Sequence, residues 1–243
     1  MSFLVLGALA LAHAAAPTIS VDSLLQKNLQ ARGGADELAA IHSLRLEGRL
    51  LVNGGQLTFQ WVEIKSRPDR IRQEATLQGL TSISAWDGTE SWRVNPFGGR
   101  KDPERVPLED SKGLLEQAAI DGVLADAKSH GWTMRYLGTE DIDGTDAHKI
   151  QIDRPGGDLE YVWLDPDAFL EIRIVSRRTE HGVTVEAQTD YGDYEKVGDV
   201  YFPLLVEFGP KGGSDADRAK VLVDKATPNQ AVDETIFAFP VAK

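Results

Sequence analysis

The sequence predicts a mainly β protein of the α+β class: one large antiparallel sheet with helices laid over one of its faces. Three observations predict it. Short segments of alternating apolar and polar residues recur along most of the 243 residues, the two-residue period of half-buried strands. Their separators are turn-formers, among them Asp87-Gly88, Asp143-Gly144, Pro155-Gly156-Gly157 and Asp165-Pro166-Asp167. Helical spacing of apolar residues occurs in only two stretches. With 42% hydrophobic residues and no low-complexity linker, a single domain over residues 15–243 can bury an adequate core.

The elements follow in chain order. The first sixteen residues carry no formal charge, and Phe3 to Ala12 is an unbroken run of apolar and small residues ending in Ala12-His13-Ala14. The run is shorter than the roughly 20 residues that span a bilayer, and its small residues fit an A-x-A cleavage site. Residues 1–14 therefore read as a signal peptide, although no Lys or Arg precedes the run, so either the start is misassigned or the export signal is atypical. From Ser20 the spacing is helical: Val21, Leu24, Leu25 and Leu29 share a face, Ser20 can cap the start and Gly33-Gly34 can end it. A stripe this narrow must lie on something larger.

Leu44, Leu46, Leu50 and Val52 then alternate with polar residues, Asn53-Gly54-Gly55 supplies a turn, and Leu57, Phe59 and Trp61 resume the alternation, which gives a hairpin. Further strands are expected over 70–78, 82–86, 91–95, 133–139, 147–153, 159–164, 170–178, 183–191, 200–208 and 219–225, in one antiparallel meander. One segment interrupts it. Between Ser111 and His130, the residues Leu115, Ala119, Ile120, Val123, Leu124 and Ala127 form a helical stripe that Gly131 can terminate. A long helix inserted there must cover a face of the sheet; with the first helix it can close a curved sheet into a half-barrel, leaving apolar space beneath.

Composition excludes several functions. The formal net charge of −12 is spread along the chain, which argues against a phosphate backbone or an anionic membrane surface as partner. There are no cysteines, hence no disulfide, thiolate metal site, cysteine nucleophile or lipidated N-terminal cysteine, and the exported chain should be soluble in the periplasm. Asp141-Ile142-Asp143-Gly144-Thr145-Asp146 has its glycine at the wrong position for a calcium loop and reads as a hairpin turn. His42, His130, His148 and His181 are isolated, with no second metal ligand at helical spacing. No nucleophile elbow or Gly-rich phosphate loop occurs, and a hydrolase would have to be assembled from distant groups such as Asp87 and His148.

Two motifs carry a family resemblance. Lys65-Ser66-Arg67-Pro68-Asp69-Arg70 is a strand ending in Arg-Pro; Trp86-Asp87-Gly88-Thr89-Glu90-Ser91-Trp92-Arg93-Val94-Asn95-Pro96-Phe97 is a hairpin with an Asp-Gly turn, aromatics and a closing Asn-Pro-Phe. Leu164-Asp165-Pro166-Asp167, with Leu170 beyond, and Phe237-Ala238-Phe239-Pro240, after Asp233 and Glu234, follow in the same order. The chain thereby resembles the LolA-like family of periplasmic outer-membrane lipoprotein carriers, which also holds glycolipid and phospholipid carriers and lipid-sensing regulatory domains. The resemblance implies an incomplete antiparallel barrel whose concave face is covered by a helical lid over an apolar cavity. That cavity receives acyl chains of lipids or lipoproteins, from an inner-membrane transporter to an outer-membrane acceptor. It implies a monomer with no enzymatic activity, cofactor, metal or nucleic-acid partner. It also places Arg67 at the family's arginine that hydrogen-bonds lid backbone in the closed state, although an arginine before proline reads equally as a plain surface residue. Strand parity puts Leu44, Leu46, Leu50, Leu57, Phe59 and Trp61 on the cavity face, with Trp86 and Trp92 added from the next hairpin; a lining and an ordinary core look the same in sequence.

Overall fold

The computed structural model describes residues 19–240, so the segment read as a signal peptide lies outside the described residues. A capping box between Ser20 and Ser23 starts α1 (Val21–Ala31), and a short α2 (Ala35–Ala39) follows Gly33-Gly34. Six strands come next: β1 (Ser43–Val52), β2 (Leu57–Ser66), β3 (Arg70–Leu77), β4 (Leu80–Trp86), β5 (Ser91–Asn95) and β6 (Arg100–Val106). After α3 (Leu108–Leu115) and α4 (Val123–Ser129), seven more complete the chain: β7 (Thr133–Ile142), β8 (Thr145–Asp153), β9 (Leu159–Leu164), β10 (Glu171–Glu180), β11 (Val183–Val197), β12 (Val200–Pro210) and β13 (Ala219–Pro228).

The thirteen strands form one antiparallel sheet in the order β6-β5-β4-β3-β2-β1-β13-β12-β11-β10-β9-β8-β7. The two ends of the chain therefore meet at the middle of the sheet, where β1 pairs with β13. The sheet is open between β6 and β7, and the connection between those edge strands is the helical segment α3–α4. The sheet does not close on itself, as expected of an incomplete barrel.

The expected single helix over 111–130 is two helices. Gly122 breaks it: its φ is +83°, and a Cβ there would collide with the Arg32 guanidinium. The strand β6 and the helix α2 are the other differences. β6 carries Pro103 and five charged side chains and has no alternation; a proline is tolerated because this strand is an edge.

Cross-strand registers separate two faces. Leu46, Glu63, Gln73 and Ser84 form one row across β1 to β4, and Arg45, Ile64, Arg72, Ala85 and Trp92 form a row on the other side. The helices lie on the first face, in two apolar clusters. In one, Leu24 and Leu25 of α1 and Val123, Leu124 and Ala127 of α4 pack on Ile150, Ile152, Val162 and Leu164. In the other, Leu38, Ile41 and Ile120 pack on Leu44, Leu46, Trp61, Phe202, Val221 and Val223. The second face of β3–β5 is covered by the C-terminal segment: Phe237 is fully buried, its carbonyl accepts from Trp92 Nε1 at 2.6 Å, and the Ile236 carbonyl accepts from Arg72 at 2.8 Å.

Candidate functional site

Between the two clusters lies a cavity of about 450 Å³, within the range of small-molecule sites. Its apolar wall is built by the centre of the sheet: Leu44, Leu46, Leu50 and Trp61 from β1 and β2, with Phe202, Val206, Val221 and Val223 from β12 and β13. Alternation places these side chains inward; β1 keeps one register along β2, while its register with β13 shifts by one residue at a bulge between Glu47 and Gly48. The opposite wall is polar. Glu160, Glu171, Ser176, Tyr191 and Tyr194 reach in from β9–β11, and Glu116 and Gln117 from the end of α3.

Four of the eight residues expected to line the cavity do so: Leu44, Leu46, Leu50 and Trp61. Leu57 and Phe59 share their parity, through the pairs Val52–Leu57 and Leu50–Phe59, but sit toward the turn end of the hairpin. Leu57 is exposed, and Phe59 meets Phe97 edge to face at 5.4 Å instead of the cavity. Trp86, at the last position of β4 and paired with Ile71, also stands outside the lining. Trp92 lies on the other face, wedged between Arg72, whose guanidinium carbon is 5.3 Å from the ring, and Phe239. Parity assigns a face; it does not say how far along a strand the cavity extends.

The roof over the cavity is the segment joining α3 and α4, and two arginines grip it. Arg67 Nη1 donates to Asp121 Oδ2 at 2.6 Å, while its Nε and Nη2 donate to the carbonyls of Ile41 (2.7 Å) and Leu38 (2.9 Å). One planar side chain thus ties the helical segment to α2 and the start of β1. Its contact to the roof goes through the Asp121 carboxylate; the roof's backbone is held by Arg32, which donates to the carbonyls of Asp121 and Ile120. No sequence motif marks Arg32 for this role. The Arg32-Gly33-Gly34 string reads as a helix end, and only the tertiary fold brings it to residues nearly ninety positions away. Ala119 and Ile120 line the cavity below and also a second cleft of about 540 Å³, which Arg67, Pro68, Asp69, Asp121 and His130 border. A thin piece of chain therefore separates the cavity from that cleft.

Burial shapes the charges around the polar wall. The Glu160 carboxyl is pushed up to about 7 by burial, against the pull of Arg154, whose Nε lies 2.8 Å from Oε2. Burial likewise raises Glu116, which Arg178 pairs at 2.8 Å. The Tyr191 and Tyr194 phenols are raised by burial and then by nearby carboxylates, Glu171 first among them. They stay protonated donors at any physiological pH.

The other groups weighed in sequence do not assemble. Asp87 Oδ1 accepts from the Thr89 and Glu90 amides at 2.8 Å in its turn, whereas His148 bonds Tyr136 and stacks on Phe169. Among the described residues no group of His, Asp and Glu is placed to hold a metal ion, and no helix is long and apolar enough to cross a membrane.

An open antiparallel sheet wrapped on a cavity, with its edge strands joined by a helical roof, defines a half-barrel. The fold is LolA-like. It is similar to a DUF1329 family protein from Desulfovibrio piger (TM-score 0.61, 11% identity, 91% of this chain and 98% of that one). It is also similar to a LolA superfamily protein from Nitrosomonas europaea (0.59, 11%, 91% and 98%). A third is a putative outer membrane lipoprotein-sorting protein domain from Vibrio parahaemolyticus (0.56, 11%, 88% and 97%). No protein-family model matches the chain, and no curated protein matches it. At this identity the likeness is one of fold.

Proposed function

We propose that this chain is an exported periplasmic carrier, directed there by its first 14 residues, that shields an acyl chain of a lipid or lipoprotein in the cavity and moves it between membranes without covalent chemistry. The observation that carries the reading is the apolar wall of Leu44, Leu46, Leu50, Trp61, Phe202, Val206, Val221 and Val223 under a roof held by polar grips. Burying a chain there gains about 0.8 kcal/mol per methylene withdrawn from water. Entry requires only that the Ala119–Asp121 segment lift, and Arg67 is the gate, since its bonds to Asp121, Leu38 and Ile41 break together.

Native mass spectrometry with lipid extraction, on protein purified from its own organism, is expected to find an acylated molecule, and a fluorescent acyl probe is expected to bind saturably. Finding neither overturns the reading. Turnover of an ester or glycan that vanishes with one carboxylate or histidine would make the protein an enzyme instead. Replacing Arg67 by Leu biases the roof open, so the variant is expected to retain more lipid and to transfer less to acceptor vesicles. Unchanged retention and transfer in a folded variant would leave Arg67 a structural tie.

A further inference from the structure

The cavity is not uniformly apolar, and its polar wall is unevenly neutralised. Its carboxylates can be matched to cations one by one. Glu63 has Lys65 at 3.1 Å, Glu74 has Arg72 at 2.6 Å, Glu116 has Arg178 at 2.8 Å and Glu160 has Arg154 at 2.8 Å. Glu171 is different. It is 6% exposed, lines the cavity, and among the described residues has no cation within 4.0 Å. Its carboxylate receives one long hydrogen bond, from the Tyr194 hydroxyl at 3.5 Å, and that hydroxyl makes its better bond, 2.9 Å, to the Glu171 carbonyl. A buried carboxylate left this way is costly unless something completes its coordination.

The surroundings say what could. Tyr191, also on the lining, makes no hydrogen bond through its hydroxyl among the described residues, and it lies within the field of Glu171, Glu160 and Glu63. Tyr191 and Tyr194 are half-buried although they sit deep against the sheet, and both border the cavity. The cation at this end, Arg32, has its Nη groups on the carbonyls of Asp121 and Ile120, and its free Nε is sealed from solvent. Gly122 brings the roof between Arg32 and Glu171, since a Cβ there would touch both. What the cavity offers a ligand's head is therefore a carboxylate acceptor and phenol hydroxyls, beside an apolar wall that accepts its tail.

We infer that the cavity selects amphiphiles whose head group donates hydrogen bonds and carries no negative charge, an amine before a hydroxyl, with Glu171 as its acceptor and Tyr191 and Tyr194 beside it. This rests on the carrier reading and specifies its cargo. An anionic head, a free carboxylate or phosphate, would meet the Glu171 charge in a medium of low polarity, where repulsion between like charges is strong. Selection of this kind needs no change in the apolar wall.

The test compares three ligands of one chain length below their aggregation limits: decylamine, decanol and decanoate, titrated by calorimetry into the delipidated protein at neutral pH. Decylamine is expected to bind at least tenfold more tightly than decanoate, with decanol between them. Glu171→Gln is expected to weaken decylamine about tenfold and to narrow the gap between amine and carboxylate, with decanol nearly unchanged. Tyr191→Phe, which keeps the ring, is expected to weaken decanol and decylamine by a few-fold and serves as the second variant if Glu171→Gln does not fold. Equal binding of all three ligands, or variants that leave the order untouched, overturns the inference and leaves the carrier reading standing. Tighter binding of decanoate also overturns it and assigns the polar end to Arg32. If no ligand binds, the carrier reading falls, and the inference with it.

Discussion

The two long pieces of helix on the inner face are held there by different forces. Together, α1 and α4 bury Leu24, Leu25, Val123, Leu124 and Ala127 against Ile150, Ile152, Val162 and Leu164, an interface of aliphatic side chains. In contrast, α3 buries only Ser111, and its Leu108 is 61% exposed. Its attachments are polar and reach both sides of the opening. Gln117 accepts from Gln73 on β3 at 3.0 Å, Lys112 meets Asp158 at 2.7 Å, Glu116 meets Arg178 on β10 at 2.8 Å, and Asp110 meets His181 at 2.6 Å. Apolar packing is lost all at once, whereas an exposed pair such as Asp110–His181 contributes about 1 kcal/mol or less and weakens in salt; among these ties only Glu116–Arg178 is well buried. The α1–α4 layer is thus held by apolar packing, and α3 itself mainly by polar ties.

The strongest way to break this comparison is to delete packing on each side. Leu124→Ala, at a site 1% exposed, is expected to cost about 2–5 kcal/mol in urea unfolding, the range for a large-to-small change in a closed core. Leu108→Ala on α3 is expected to change stability by about 0.5 kcal/mol or less. Equal losses would mean that α3 is packed as firmly as α4.

A smaller effect is expected where α3 is cut loose without touching the core. Arg178→Met removes the cation from Glu116. Breaking a buried pair typically costs about 3–5 kcal/mol, but burial already raises the Glu116 carboxyl, so it can take up a proton instead of standing as a bare charge. A local cost of about 2 kcal/mol, roughly thirtyfold in amide exchange, is expected over 108–117. Exchange in α4 should not change. Faster exchange in both helices would show that the lid opens as one body.

Which parts of this were legible beforehand follows the range of the interactions. Alternation and turn chemistry are local, so β1, β2, β4, β5 and β9 fall where their residues predict. The Asp87 turn and the Asn95 cap, whose Oδ1 accepts from the Gly98 amide, are local too, and they belong to the string that carries the family resemblance. The helical stripe through Ile120 was legible, but its break was not, because Gly122 is required by the approach of Arg32 from another element. The cavity's apolar wall follows from parity on two strands. Its polar wall does not: Glu171, Tyr191 and Tyr194 sit among alternating residues like any solvent-facing positions, and only the helices laid over that face turn them inward. Trp92 falls on the face opposite to the one its hairpin predicts for the same reason, since the segment that covers it lies 145 residues later.

The smallest expected effect sharpens the comparison most, because the two sides should answer pH with opposite signs. His181 is raised above 6.5, first by its hydrogen bond to Asp110 and then by the charges of Glu109, Asp110 and Glu180, so the folded state holds its proton more tightly than the unfolded chain. Its hold on α3 is complete below pH 6.5 and is lost as pH rises through the folded value. His148 is lowered, by burial and by the charge of Lys27, where its ring bonds Tyr136 and stacks on Phe169. The unfolded chain takes up that proton first, so the α1–α4 side loses stability as pH falls below 6.5. Glu160 adds a background to both, because a carboxyl held up to about 7 makes folding less favourable as pH rises from 4.5 toward 7. Variants subtract that background. Amide exchange corrected for its intrinsic pH dependence, followed from pH 5.5 to 8, is expected to show α3 opening toward high pH and α4 with β8 opening toward low pH. His181→Gln should flatten the first response alone and His148→Gln the second alone. A common sign on both sides that survives both substitutions would mean that neither histidine sets the balance, and that the helical layer answers pH through the carboxyls that burial raises, Glu116, Asp126 and Glu160.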